Sequence, residues 1–187
     1  MATDYDGTEY PDAMVEPGAD RAGVPDGFQR LWTPHRIAYI EAGQTPADAE
    51  CVFCTAPTLS DEEALIVHRG ELAYALLNLF PYNSGHLLVV PYRHVALYDE
   101  ATDAETAEIA SLTQAAMRTI TATAKADGFN VGMNLGAVAG AGVAAHLHQH
   151  VVPRWPGDQN FMPIIGRTKT LPELLADTRE LLADAWG

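Results

Sequence analysis

The sequence predicts an α+β domain: an antiparallel sheet of about five strands, a long helix packed on it and a second helix near the C-terminus. Three observations lead there. Five short runs, at 63–68, 72–80, 86–90, 129–135 and 146–152, are rich in the aliphatic and β-branched residues that suit strands. Between the third and fourth runs, residues 103–126 repeat apolar side chains at helical spacing. Leu171 to Ala185 does the same at the end of the chain.

In chain order, residues 1–27 are dominated by Asp, Glu, Gly and Pro, with Arg21 as their cation; they read as an acidic mobile tail. The alternative is an extension folded over a partner subunit. Residues 28–187 read as one domain. Leu31, Trp32, Ile37, Tyr39 and Ile40 are expected to pack, with Thr33-Pro34 as N-cap and first residue of a helix. Gly43 to Glu50 is a linker. Glu63–His68 and Leu72–Phe80 form two strands around a turn at Arg69-Gly70. Pro81 to Gly85 is a loop, and His86–Val90 a third strand closed by Pro91. The long helix carries Ile109, Leu112, Ala116 and Ile120 as its apolar stripe, with Met117 beside them. Asp or Thr caps its start, and Glu105 and Glu108 lie in its first turns; Asp127-Gly128 ends it. Phe129–Leu135 is the fourth strand, followed by residues 136–142, nearly free of bulky side chains. A fifth strand begins at His146 and is ended by Pro153. Beyond it lie Trp155, a Pro156-Gly157-Asp158 turn, the apolar run Phe161–Ile165 and the last helix, with Leu174, Leu175, Leu181 and Leu182 on its apolar side.

Composition narrows the function. The chain has 187 residues, 48% of them apolar, enough for a substantial single core. Its formal net charge of −14 excludes a general nucleic-acid binder, which shows a basic patch. A small anionic substrate is still allowed, because charges beyond the Debye length of about 8 Å are screened. It requires a locally positive pocket made of backbone N–H groups or a few cations. No apolar run reaches the roughly 18 residues of a membrane span. The first residues lack the basic-then-apolar pattern of a signal peptide. Two cysteines make no disulfide framework and read as reduced thiols of a cytoplasmic protein.

The chemistry concentrates in His146-Leu147-His148-Gln149-His150-Val151-Val152-Pro153-Arg154. On an extended chain, residues two apart share a face, so His146, His148 and His150 line one side and Gln149 points to the other. A row of imidazoles serves either as a nucleophile with its supporting groups or as a metal site. Cys51 and Cys54, separated by Val52-Phe53, have the spacing to hold one face of a tetrahedral zinc. A redox pair would want a helix after it, and Pro57 follows three residues on. The glycine-rich segment exposes backbone N–H groups suited to phosphate, and no GxxxxGK[ST] is present.

The segment His146–Val152 fits the pattern His-φ-His-φ-His-φ-φ, with Gln149 in place of one apolar residue, and so resembles the histidine triad (HIT) superfamily of nucleotide hydrolases and transferases. Asn78 before a Pro-containing loop, Gly85-His86, the strand to Pro91, the long helix, Met133-Asn134, the glycine loop and Pro153-Arg154 fall in the order of that family, over roughly residues 60 to 160. The segments Leu31–Pro34, Asn78–Asn83, Gly128–Gly132 and His150–Trp155 resemble the actinobacterial branch that contains diadenosine tetraphosphate phosphorylases. The resemblance implies a HIT-like sheet and a homodimer. It implies His148 as a nucleophile forming a nucleotidyl-imidazole, oriented through the carbonyl of His146, with His150 on the phosphate. Asn134 and the backbone at Gly140, Ala141 and Gly142 would hold phosphate oxygens, and Asn78 the ribose. In zinc-containing relatives a CxxC pair joins a His after the third strand and the first motif His; here those are Cys51, Cys54, His94 and His146. Mg²⁺ would arrive with the substrate.

The reaction so implied is phosphorolysis of diadenosine tetraphosphate to ADP and ATP, with dinucleoside polyphosphate and inorganic phosphate as partners. Hydrolysis of dinucleoside polyphosphates or of nucleoside phosphoramidates is the alternative. Another class is a nucleotide-binding or zinc-binding interaction protein without turnover. The chain departs from the family where many members carry Ser or Thr in the glycine loop; Gly142 and Val143 stand there instead. His68 and His86 are expected to be structural.

Overall fold

In the computed structural model, which describes residues 51–158 and 174–187, five antiparallel strands form one sheet. They are β1 (Ile66–Arg69), β2 (Ala73–Leu77), β3 (Leu87–Pro91), β4 (Gly128–Met133) and β5 (Gln149–Arg154), in the order β1-β2-β3-β5-β4. A short helix α1 (Val52–Thr55) precedes them, the long helix α2 (Asp103–Ala124) separates β3 from β4, and α3 (Leu175–Asp184) closes the chain. This is the expected α+β arrangement. The expected N-terminal tail, the helix at Thr33-Pro34, the Phe161–Ile165 run and the first residues of the last helix lie outside the described residues. No helix among the described residues is long and apolar enough to cross a membrane.

The sheet divides the core in two. One face carries Ala73, Leu77, Leu87, Val89 and Val151 against Ile109, Leu112, Ala116 and Ile120 of α2 and Leu182 of α3. Each Leu or Ile buried there stabilises the fold by about 1.5–3 kcal/mol. The other face carries Ile66, Tyr74, Leu76, Leu88 and Val90 against Phe53 and Ala56. The register sets Leu88 opposite His150, so the histidines belong to this second face.

Helix α2 begins at a capping box. The Thr102 hydroxyl accepts from the Glu105 N–H at 3.2 Å, and the Glu105 carboxylate accepts from the Thr102 N–H at 2.8 Å. Arg93, just past β3, donates to both oxygens of that carboxylate at 2.8 and 2.7 Å. Glu108, one turn on, accepts from the N–H groups of Glu71 and Leu72 at 2.6 and 2.7 Å. The long helix thereby holds the β1–β2 turn. Gly70 is required at that turn, since a Cβ there would sit 2.8 Å from the Ala73 carbonyl oxygen and collide with Glu108.

Several boundaries differ from expectation. Strand β1 starts at Ile66, because residues 61–65 form turns in which the Ile66 N–H reaches the Asp61 carbonyl at 2.8 Å. Strand β2 ends at Leu77, β3 runs from Leu87 into Pro91, and β4 is Gly128–Met133. Helix α2 ends at Ala124, with Lys125 in the left-handed conformation, before Asp127-Gly128. Pro153 does not end β5, which begins at Gln149 and continues to Arg154. The last pair between β3 and β5 is Leu87 with Val151, so no ladder bond is asked of the Pro153 nitrogen on that side. There its carbonyl accepts from the Asn83 side chain at 3.1 Å. In α3, Leu182 is buried but Leu181 is exposed. Instead Arg179 donates to the Ile66 carbonyl at 3.0 Å, at the bulge in β1, and Trp186 stacks on His68 at 5.0 Å. His68 is structural, as expected.

The Glu105 carboxyl is held down at about 2, first by its hydrogen bond to Arg93 and next by the Thr102 N–H. A carboxyl depressed in the folded state stabilises it above its unfolded value and loses that contribution as pH falls towards 2. Urea unfolding of the parent should therefore weaken between about pH 4.5 and 2 more steeply than that of Glu105→Gln. Equal pH slopes in the two proteins would show that Glu105 does not carry the effect.

Candidate active site and metal centre

The three motif histidines sit where the chain enters β5 on the second face of the sheet. Their alternation holds although the ladder starts only at Gln149: Leu147 packs into the α2 side, while His146 and His148 are buried on the other. The Leu147 N–H donates to the Val95 carbonyl at 2.6 Å, which fixes this approach. Gln149 points to the α2 side, where its amide donates to the Thr113 hydroxyl. This polar contact lies within the chain.

His148 Nδ1 lies 2.8 Å from the carbonyl oxygen of His146. A carbonyl only accepts, so Nδ1 carries the proton and Nε2 keeps its lone pair. Burial pushes the His148 pKa below the ordinary imidazole range, and the bond to His146 works against that shift. Neutral, oriented and with an unprotonated Nε2, this ring has the form of a nucleophile.

A second chain of bonds sets the tautomer of His150. The backbone N–H of Tyr82 donates to His86 Nδ1 at 3.0 Å, so the His86 proton is on Nε2. That Nε2 lies 2.9 Å from His150 Nδ1 and donates to it. The His150 proton is therefore on Nε2, a buried N–H without a hydrogen-bond partner among the described residues. Burial, and then the neighbouring His148, hold His150 down at about 4, so it is neutral near pH 7. A buried unsatisfied donor beside His148 is a group that an oxygen of a bound molecule could satisfy.

His86 is thus part of the site and not merely structural, as the sequence had suggested. The signal was in the register: Leu88 pairs with His150, and His86 lies two residues before Leu88 on the same face. Tyr82 also covers this end, its ring 4.7 Å from that of His86 and 5.5 Å from that of His150. Phe53, between the two cysteines, is a further residue of the site. Its ring lies 5.0 Å from His148 and 5.6 Å from His146.

The remaining candidates frame the histidines. The β4–β5 register pairs Gly132 with His150 and Met133 with Gln149. Asn134 directly follows the last residue of β4, and His148 directly precedes the first residue of β5. The glycine segment makes a single turn at Ala137–Ala139 and leaves it at Gly140, whose φ of +86° favours glycine. The N–H groups of Ala141 and Gly142 donate to no group among the described residues, which leaves them available to an anion. Asn78 begins the loop before β3. Its side-chain oxygen accepts from the Phe80 N–H at 2.9 Å and its amide nitrogen lies 3.4 Å from His86 Nδ1. Arg154 donates to both oxygens of Asp158 at 2.6 and 2.8 Å and to the Asn130 side-chain oxygen at 2.8 Å.

Cys51, Cys54, His94 and His146 converge, their ligand atoms all within 4.8 Å of one another. His146 Nδ1 lies 3.3 Å from the Cys51 sulfur and 3.5 Å from that of Cys54, and His94 Nδ1 lies 3.2 Å from the Cys54 sulfur. Tetrahedral zinc, with bonds of about 2.0–2.3 Å, spaces its ligands on this scale. The tautomer also fits. His146 Nε2 lies 2.9 Å from the Pro91 carbonyl and donates to it, so Nδ1 presents a lone pair to the thiols. Two thiols and two imidazoles with no open position make a donor set for structural zinc.

The residues 60–157 match the model of the HIT domain. The chain is 52% identical over 171 residues to the AP-4-A phosphorylase of Mycobacterium tuberculosis, covering 88% of each. It is 36% identical over 110 residues to a HIT-like protein of Methanocaldococcus jannaschii, covering 58% of this chain and 81% of the relative. Among solved structures it is similar to a Zn-bound histidine triad family protein from Mycobacterium smegmatis, with a TM-score of 0.60, 27% identity and coverage of 73% and 93%. It is also similar to a histidine triad nucleotide-binding protein from Sulfolobus tokodaii, with a TM-score of 0.59, 30% identity and coverage of 72% and 91%.

Metal analysis checks the four-ligand site. The parent protein should carry about one zinc per chain, and Cys51→Ala close to none, with a lower melting temperature. Equal zinc in both proteins would dismiss it.

Proposed function

The chain belongs to the HIT domain family, and from that premise we propose that it cleaves diadenosine tetraphosphate by phosphorolysis to ADP and ATP. One observation carries the choice of reaction: the extensive identity with the mycobacterial AP-4-A phosphorylase, through and beyond the histidine motif. The geometry of the histidines supplies the mechanism.

His148 Nε2 attacks the α-phosphorus of one adenosine. The P–N bond forms as the bond to the bridging oxygen breaks, and ATP leaves. The His150 Nε2–H donates to a phosphate oxygen as charge builds on it, and His86 keeps that proton on Nε2. His146 takes part through its carbonyl, which retains the Nδ1 proton of His148 throughout. An oxygen of inorganic phosphate then attacks the nucleotidyl-imidazole, the P–N bond breaks, ADP is released and His148 returns neutral. Splitting one displacement into two keeps each within reach of a single nucleophile. Asn134 and the N–H groups of Ala141 and Gly142 hold the phosphate oxygens, and Asn78 the ribose; the expected Gly140 N–H is instead bound to the Ala137 carbonyl at 2.9 Å. In an acidic protein, these uncharged donors supply the local positive potential that the anion needs. Mg²⁺ enters with the polyphosphate. Zinc at Cys51, Cys54, His94 and His146, where bound, is a cross-link between the start of the described chain and the histidine segment.

A second reading rests on Gly142 and Val143, which offer no hydroxyl to the leaving phosphate. It has water in place of phosphate in the second step, giving AMP and ATP. Supplying diadenosine tetraphosphate with and without phosphate separates the two. Phosphate-dependent ADP supports phosphorolysis, phosphate-independent AMP supports hydrolysis, and no product from native protein sinks both. His148→Ala should lose about 10³-fold or more of kcat, and His86→Ala about 10–100-fold. Full activity in His148→Ala would refute the mechanism.

We also propose a homodimer and a cytoplasmic setting, the latter because Cys51 and Cys54 are free thiols. Strand β4 is an edge of the sheet and exposes Val131, a surface that a second copy would cover. Light scattering should give a mass of twice 20.1 kDa; a value of 20.1 kDa would exclude the dimer.

A further inference from the structure

Between the two cysteines stand Val52 and Phe53, and they part company. Val52 is 54% exposed, whereas Phe53 is 7% exposed and turns into the sheet. Its carbonyl accepts the buried Tyr74 hydroxyl at 2.7 Å, and the Cys54 and Thr55 N–H groups both return to the Cys51 carbonyl, at 2.9 and 3.0 Å. The ring belongs to the second core, with Ile66, Tyr74, Leu76, Leu88 and Val90.

What that ring touches is the nucleophile. Phe53 lies 5.0 Å from the His148 ring, tilted by 43°, and 5.6 Å from the His146 ring, edge-on at 75°. A single hydrogen bond from Nδ1 fixes one atom of His148 but leaves the soft torsion about Cβ–Cγ, whose wells are broad. Among the described residues the other ring against His148 is His150, 5.1 Å away and at 73°. Phe53 is therefore the apolar wall against which the nucleophile rests, carried on the same short turn that carries Cys51 and Cys54.

We propose that Phe53 is a positioning residue for the nucleophile: its ring holds the His148 imidazole in the plane that keeps Nδ1 on the His146 carbonyl and Nε2 towards the reacting phosphorus. This rests on the assignment of His148 as nucleophile. It gives the turn between the cysteines a part in the reaction that does not depend on contact with substrate.

The test uses the full chain, with Phe53→Leu, which fills much of the volume without a ring, and Phe53→Tyr, which keeps the ring. With diadenosine tetraphosphate and phosphate, Phe53→Leu should lower kcat by about tenfold or more while KM stays within about twofold. Phe53→Tyr should recover most of kcat. In nitrogen-15 spectra of the ligand-free protein, the Nδ1–H of His148 should exchange with water faster in Phe53→Leu than in the parent. A raised KM with unchanged kcat would make Phe53 a substrate contact and overturn the proposal. Unchanged kcat together with unchanged proton exchange would overturn it as well, leaving core packing alone. Should Phe53→Leu fail to fold, the parent still decides: through-space signals between the Phe53 ring and the His148 ring protons are expected, and their absence refutes the contact. Should the parent form no nucleotidyl-His148, the functional assignment falls, while the exchange comparison still judges the positioning role.

Discussion

The bond from His148 Nδ1–H to the carbonyl of His146, at 2.8 Å, is the constraint on which the rest of the site depends. It decides which nitrogen of His148 keeps its lone pair, and it does so with a backbone group that cannot change its protonation. Everything near it acts to hold that carbonyl still. Leu147, the next residue, is tied by its N–H to Val95 and by its side chain to the α2 core. His146 is tied by Nε2 to Pro91 and presents Nδ1 to Cys51 and Cys54. A peptide gripped at both ends has little freedom to turn its oxygen away.

Fixed main-chain groups recur as the source of proton placement. The Tyr82 N–H sets the tautomer of His86, and His86 sets that of His150. Three imidazoles thus have their protons assigned by one backbone acceptor and one backbone donor. Burial adds to this by disfavouring the charged form of His148 and, more strongly, of His150. The result is one ring with a lone pair and one with an N–H, both neutral near pH 7.

Helix α2 braces the candidate site from the opposite face of the sheet. Its capping box joins Arg93, beside the candidate ligand His94, while Glu108 grips the β1–β2 turn and Thr113 receives Gln149 from β5. One element therefore braces three of the strands from the face opposite the chemistry. Its polar residues are spent on these links, which explains why Glu105 is only 5% exposed although charged. A charge so buried requires a partner, and Arg93 with the Thr102 N–H supplies it.

The sequence by itself determined the fold class, the helical stripe of α2, the alternation of the motif histidines and the grouping of Cys51, Cys54, His94 and His146. All of these follow from local periodicity, from spacing or from the resemblance to the HIT superfamily. Strand ends were less legible, because a proline ends a strand only where the ladder needs its N–H, and the tertiary pairing decides that for Pro153 and Pro91. The end of α2 was misplaced for a related reason: Lys125 adopts a left-handed conformation that residue type alone does not favour. The parts of the site carried by pairing were hidden too. His86 joins His150 across strands, and Phe53 reaches His148 from a turn far away in sequence. Residue type announces what a side chain can do, but only the register of the strands and the packing of the second core bring those two residues to the motif histidines.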